Sequence, residues 1–374
     1  MARSALAVVA AAALAVLLVG CAAPGGVAEP AGMGPTEARA AIVRLLPAGL
    51  ADRAGWASDI HAALATLELP STPANLCAVL AVAEQESGYR ADPVVPGLAA
   101  IARKEIERRA DAAGVPMLAV RAALALSSPD GRSYGERIDA VKTERELSEI
   151  FEDFIGMVPL GRSFLAGHNP VRTGGPMQVG IAFAEAQVET RPYPYPLRDS
   201  VRREVFTRRG GLYFGTAHLL AYDAPYDSAL YRFADFNAGR YASRNAAFQR
   251  ALGVASGLPV TPDGDLLAHG GGAARGETER AALTLAGRLG LSEAAIRRDL
   301  EQGGAAGFER SALHERVFAY AEKLDRRPLP RAVVPRIDLR SPKFTRKLTT
   351  EWFATRVDER HRRCLARMTP PRDD

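Results

Sequence analysis

From Pro35 to the C-terminus, alanine and leucine recur at three- and four-residue spacing, and the alternation of β-branched residues that a half-buried strand needs is almost absent. A period near 3.6 cannot be buried as a sheet, because a strand sends successive side chains to opposite faces. The expected fold is therefore mainly α. At 374 residues the chain can build one large or two ordinary domains with a sizeable core.

The first residues follow a different rule. Arg3 precedes an uninterrupted apolar run, Ala5 to Val19, that ends in Leu18-Val19-Gly20-Cys21. The run is too short and too rich in alanine to serve comfortably as a permanent span, and reads as a secretory signal. Small residues before a cysteine open the backbone to a peptidase, and the Cys21 thiol can accept a diacylglycerol, so residues 1–20 are expected to be removed and Cys21 lipidated. Ala22 resembles the sorting signal that favours the outer membrane, placing the anchored protein on its periplasmic face. Residues 21–35 carry too much Gly and Pro to fold and read as a flexible tether.

With Cys21 lipidated, Cys77 and Cys364 remain. In an oxidising compartment such a pair forms a disulfide, the other reading being two separately buried thiols. The six histidines are scattered and no cysteines cluster, so no metal and no other cofactor is expected. The formal charge of +5 suits work beside anionic lipid or wall polymer, and without basic and aromatic interleaving it does not point to nucleic acid.

One helix is well punctuated: Thr72 caps it, Pro73 opens it and Gly88 follows it. Leu76, Val79, Leu80 and Ala83 form its apolar stripe, with Glu84 and Glu86 flanking the stripe on opposite sides. Periodicity does not choose between these two carboxylates. Further helices are expected within 97–155, over 197–208, 211–222 and 241–252, and at intervals from 277 to 368, with residues 258–276 as a linker or exposed excursion. The proline-studded stretch near 327–347 is expected to run extended over the surface.

Three segments carry the chemical signal: Glu86-Ser87-Gly88-Tyr89, Gly175-Pro176-Met177-Gln178-Val179 and Phe236-Asn237-Ala238-Gly239. In this order they resemble the soluble, goose-lysozyme-like lytic transglycosylases, in which a helix-ending Glu-Ser is followed by Gly-Leu-Met-Gln and then by Ala-Tyr-Asn-Ala-Gly. As a whole the chain also resembles an uncharacterised family of bacterial lipoproteins. The transglycosylase resemblance implies a lysozyme-like core over 36–257, with a long helical insertion at about 97–171 and a C-terminal helical extension over 277–374. Carried over residue by residue, it makes Glu86 the acid/base, while Ser87, Met177, Gln178 and Asn237 contact or position the sugar. Pro176 stands in place of leucine and Phe236 in place of tyrosine, with Tyr213, Tyr222, Tyr231 and Tyr241 as candidate replacements for the lost hydroxyl. The 87-residue separation of Gly88 from Gly175 exceeds that of the family.

A carboxylate at a helix C-terminus beside apolar side chains has its charged form disfavoured by dipole and desolvation together, as a general acid requires. Ordinary glycosidases use two carboxylates. The three segments hold one, and Asp92, Asp223 and Asp235 read as surface or capping residues. That fits a transglycosylase acting on peptidoglycan glycan strands, in which the 6-hydroxyl of the substrate attacks the anomeric carbon and leaves a 1,6-anhydro sugar. The alternative is a lysozyme-like domain without catalysis that binds glycan or a cell-wall enzyme partner.

Overall fold

The computed structural model describes residues 32–157, 160, 163, 165–268, 275–339 and 347–368. The expected signal 1–20, the expected lipidation site Cys21 and residues 22–31 of the expected tether lie outside the described residues, and no described helix is long and apolar enough to cross a membrane. The fold is mainly helical, with two two-stranded ladders, β1 (Thr173–Gly174) with β2 (Val179–Gly180) and β3 (Asp338–Leu339) with β4 (Leu348–Thr349).

The helices open with α1 (Pro35–Leu45), α2 (Arg53–Thr66) and α3 (Pro73–Ser87). Helices α4 (Leu98–Ala112), α5 (Met117–Leu124), α6 (Tyr134–Ala140) and α7 (Glu144–Met157) follow. After the first ladder come α8 (Ile181–Thr190), α9 (Val201–Val205), α10 (Arg208–Leu220), α11 (Ala229–Ala238) and α12 (Ala242–Ser256). The chain then forms α13 (Glu277–Thr284), α14 (Ala286–Leu289), α15 (Glu293–Glu301) and α16 (Ala312–Asp325), and ends in α17 (Thr350–Met368).

Local chemistry accounts for α3. The Thr72 hydroxyl accepts the Asn75 N–H, Pro73 occupies the first turn, and Gly88 closes the helix at φ 58°, where only glycine is free of strain. Its burial departs from the expected single stripe, because every residue from Leu76 to Ala83 is buried. A helix apolar on all sides belongs at the centre of a core. It has α17 along one side, fixed by a disulfide between Cys77 and Cys364 with Cα atoms 5.5 Å apart. Helix α17 also packs along α11, so Phe353, Ala354 and Val357 are buried in the same core as α3.

The described residues between 277 and 368 therefore divide between two cores. Helices α13, α15 and α16 enclose a second core with α12, built on Phe248, Phe308 and Phe318, whereas α17 returns to the first. Residues 258–268 are likewise no open linker. Leu266 is buried, and the Gln249 amide accepts from the Gly264 N–H and donates to the Asp265 carbonyl. Within the stretch expected as an insertion, α4, α6 and α7 close around Leu98, Ala102, Tyr134, Ile138 and Ile150 in a small core of their own. It joins the rest through the Val94 to Thr143 bridge and the Glu152 carboxylate, which pairs with Arg203 at 3.1 Å.

Candidate functional site

Glu86 is the penultimate residue of α3, half-buried, with the capped end of the helix behind it. Glu84, about 200° round the helix on the other side, is exposed and pairs with Arg360 of α17 at 3.2 Å. Ser87 is buried; its hydroxyl donates to the Ala83 carbonyl and accepts the Arg90 N–H. Against expectation, Ser87 thus secures the helix end and is not presented to a sugar.

The second segment forms the tight turn between β1 and β2, laid flat on α10. Gly175 sits at φ 74°, where a Cβ would collide with the Val205 carbonyl oxygen, and Pro176 rests on Gly211. Met177 fills the space left by Gly215, where a Cβ would stand 2.5 Å from Sδ. Met177 is completely buried in the core that holds α3, which corrects its expected role as a cleft contact. Gln178 remains half-exposed at φ 51°, its amide donating to the Gly175 carbonyl at 3.2 Å and facing Thr173 Oγ1 at 3.4 Å. Because Gly175 combines a left-handed backbone with a backbone collision, Gly175→Ala should lower unfolding free energy by about 2–4 kcal/mol. A urea midpoint unchanged from wild type would show that the turn does not bear on α10 as described.

The third segment ends α11, a helix absent from the sequence expectations. Asp235 is its buried anchor: Oδ2 accepts from the hydroxyls of Tyr222 and Tyr226 and from the Tyr241 N–H, and Oδ1 from the Ser243 N–H. Burial pushes its carboxyl up, opposed by these bonds. Asp235 is thus the cap that joins α11 to α12. Asp92 pairs with Arg145 at 2.9 Å. Phe236 packs on the first core and edge-on to His218, whose Nε2 donates to the Phe236 carbonyl at 3.3 Å. Asn237 is exposed, and its Oδ1 accepts the hydroxyl of the fully buried Thr350 at 2.9 Å, a partner contributed by α17. Of the candidate tyrosines, Tyr213 donates to the Pro192 carbonyl and Tyr222 to Asp235. Tyr231 and Tyr241 meet the rings of Tyr226 and Tyr222.

The three segments therefore converge on one core: Ala83, Met177, Phe233 and Ala234 are buried in it and Phe236 lies against it. Their local partners were not legible beforehand. His218 and Thr350 have no short-range motif, Asp235 is the cap, one of its two sequence readings, and the 360, 363, 367 arginine spacing of the last helix is the signal that marks its charged face.

His218 also makes the fold acid-sensitive. Burial, then the nearby Arg240 guanidinium, hold its imidazole down at about 4, and burial does the same to His314 among Phe248, Phe308 and Phe318. A folded value below the unfolded value near 6.5 means that the unfolded chain takes up protons first. Stability is then full above about pH 6.5 and lost as pH falls towards 4. Urea midpoints across that window should decline, and His314→Phe should decline less steeply; parallel declines would remove His314 from the account.

The family described as "Protein of unknown function (DUF1615)" matches residues 49–367. A relative from Escherichia coli (strain K12), "Uncharacterized protein YaiW", is 53% identical over 327 residues, covering 87% of this chain and 89% of that protein. No solved structure matches.

Proposed function

Since the chain belongs to the DUF1615 family, we propose a chemistry for one of its members: a peptidoglycan lytic transglycosylase, lipid-anchored at Cys21 to the periplasmic face of the outer membrane, with Glu86 as general acid/base. The observation that carries this reading is the convergence of the Glu86, Gln178 and Asn237 segments on a single core, with Glu86 half-buried at the end of a helix buried throughout from Leu76 to Ala83. In that reading Glu86 protonates the glycosidic oxygen of the MurNAc-GlcNAc bond, then accepts the proton of the attacking 6-hydroxyl. Gln178 keeps one amide proton for an N-acetyl group. Asp235, spent on capping, supplies no second carboxylate, which agrees with an intramolecular attack.

A second reading has its own support. Asn237 is bound by Thr350, Met177 is closed off, and Ser87 is spent on its helix, so three of the expected sugar contacts are committed within the protein. This arrangement favours a lysozyme-like module that binds glycan or a wall enzyme without cutting. Incubation of the protein with purified sacculi, followed by mass analysis, separates the two. Anhydro-ended muropeptides support the transglycosylase, reducing ends replace it with a hydrolase, and intact sacculi that retain the protein support the binding module.

A further inference from the structure

A cavity of ≈ 380 Å³ opens on the Glu84 side of α3, between that helix and α17. Glu86 does not line it, so it is separate from the site above. Its buried lining is apolar, formed by Leu45, Leu80, Ala81 and Cys364. Its rim carries Arg360, Arg363 and Arg367, spaced to project from one face of α17, opposed by the single carboxylate of Glu84. Tyr89 lines it too, with its hydroxyl kept neutral because burial, then the Glu84 charge, push its pKa up.

The charges are unevenly satisfied. Arg360 pairs with Glu84 through Nε at 3.2 Å and donates from Nη1 to the Arg356 carbonyl, and Arg367 donates to the Arg44 carbonyl. Arg363 is exposed and meets no acidic or carbonyl partner among the described residues. Three guanidinium groups against one carboxylate leave an excess of two positive charges around a hollow whose buried lining is apolar. Guanidinium forks match phosphate oxygens in geometry, and a phosphomonoester dianion cancels the excess where a monocarboxylate does not. The volume falls in the range of small-molecule sites, and an apolar lining binds a ligand that brings apolar surface of its own.

We propose that this cavity binds a phosphomonoester joined to an apolar body, the guanidinium groups of Arg360, Arg363 and Arg367 taking the phosphate and the Leu45, Leu80 and Ala81 lining taking the hydrocarbon. This assignment is independent of whether Glu86 cuts glycan.

The test is titration calorimetry of the full mature chain in nonionic detergent with dihexanoyl phosphatidate, dihexanoyl phosphatidylcholine and inorganic phosphate. The phosphatidate should bind at least about tenfold more tightly than either of the others, the first lacking the dianion and the second the apolar body. Arg363→Ala, which removes an exposed side chain and leaves folding intact, should weaken phosphatidate about tenfold, and Arg363→Lys should restore part of the loss. Glu84→Gln should tighten it, because the competing carboxylate is gone. Equal affinity for phosphatidate and phosphatidylcholine, or an Arg363→Ala variant that binds like wild type, overturns the site. Inorganic phosphate binding as tightly as the phosphatidate overturns the amphiphile and leaves a simple phosphate site.

Discussion

Glu86→Gln should abolish the release of anhydro-ended muropeptides from sacculi while leaving the fold intact. The substitution preserves side-chain shape and hydrogen-bonding reach, and the half-buried position at the end of α3 tolerates an amide. What is lost is the transferable proton. Removing general acid catalysis typically costs about 10²–10⁴-fold. Here the same carboxyl would serve both protonation of the leaving oxygen and activation of the 6-hydroxyl, so the loss belongs at the upper end. Glu107→Gln, an exposed carboxylate on α4, provides the charge-matched control and should turn over sacculi at the wild-type rate. Turnover is compared at matched folded concentration, with circular dichroism confirming structure. A Glu86→Gln protein retaining more than about a tenth of an established wild-type rate removes Glu86 from the mechanism.

Reduction of the Cys77–Cys364 disulfide should produce a large loss of stability without changing a side chain elsewhere. The bond closes a loop with a sequence separation of 287 residues, and it does so inside the core, between α3 and the helix that packs along it. A loop of this length sharply restricts the unfolded ensemble, so its release should cost about 2–5 kcal/mol, towards the upper end if the chain-entropy account applies. The apolar contacts of Phe353, Ala354 and Val357 should keep α17 in place, so the reduced protein is expected to remain folded at room temperature but to unfold at a lower urea concentration. The measurement is urea denaturation with and without a phosphine reductant, with thiol labelling to verify reduction. Coincident transitions would show that packing alone holds α17 and that the bond adds nothing.

How much of this molecule was legible in advance divides along the range of the forces involved. The mainly helical class followed from the 3.6-residue spacing, and the limits of α3 followed from Thr72, Pro73 and Gly88, because caps and left-handed turns are decided within a few residues of chain. The long separation of the Glu86 and Gly175 segments was readable, but that α4, α6 and α7 close around a core of their own was shown only by the packing. Elimination left Cys77 and Cys364 as the possible pair, but only the tertiary structure brought their Cα atoms to 5.5 Å. Helix α11 escaped notice since its sequence, ALYRFADFNA, buries only Phe233, Ala234 and Asp235, too few residues to produce a periodic signal. The all-round burial of α3, the closure of Met177 beneath Gly215, the capture of Asn237 by Thr350 and the return of α17 to the first core each depend on residues far apart in the chain. Which apolar surfaces meet is settled by the packing of the whole, since burial rewards any complementary contact equally and carries no local mark of its partner.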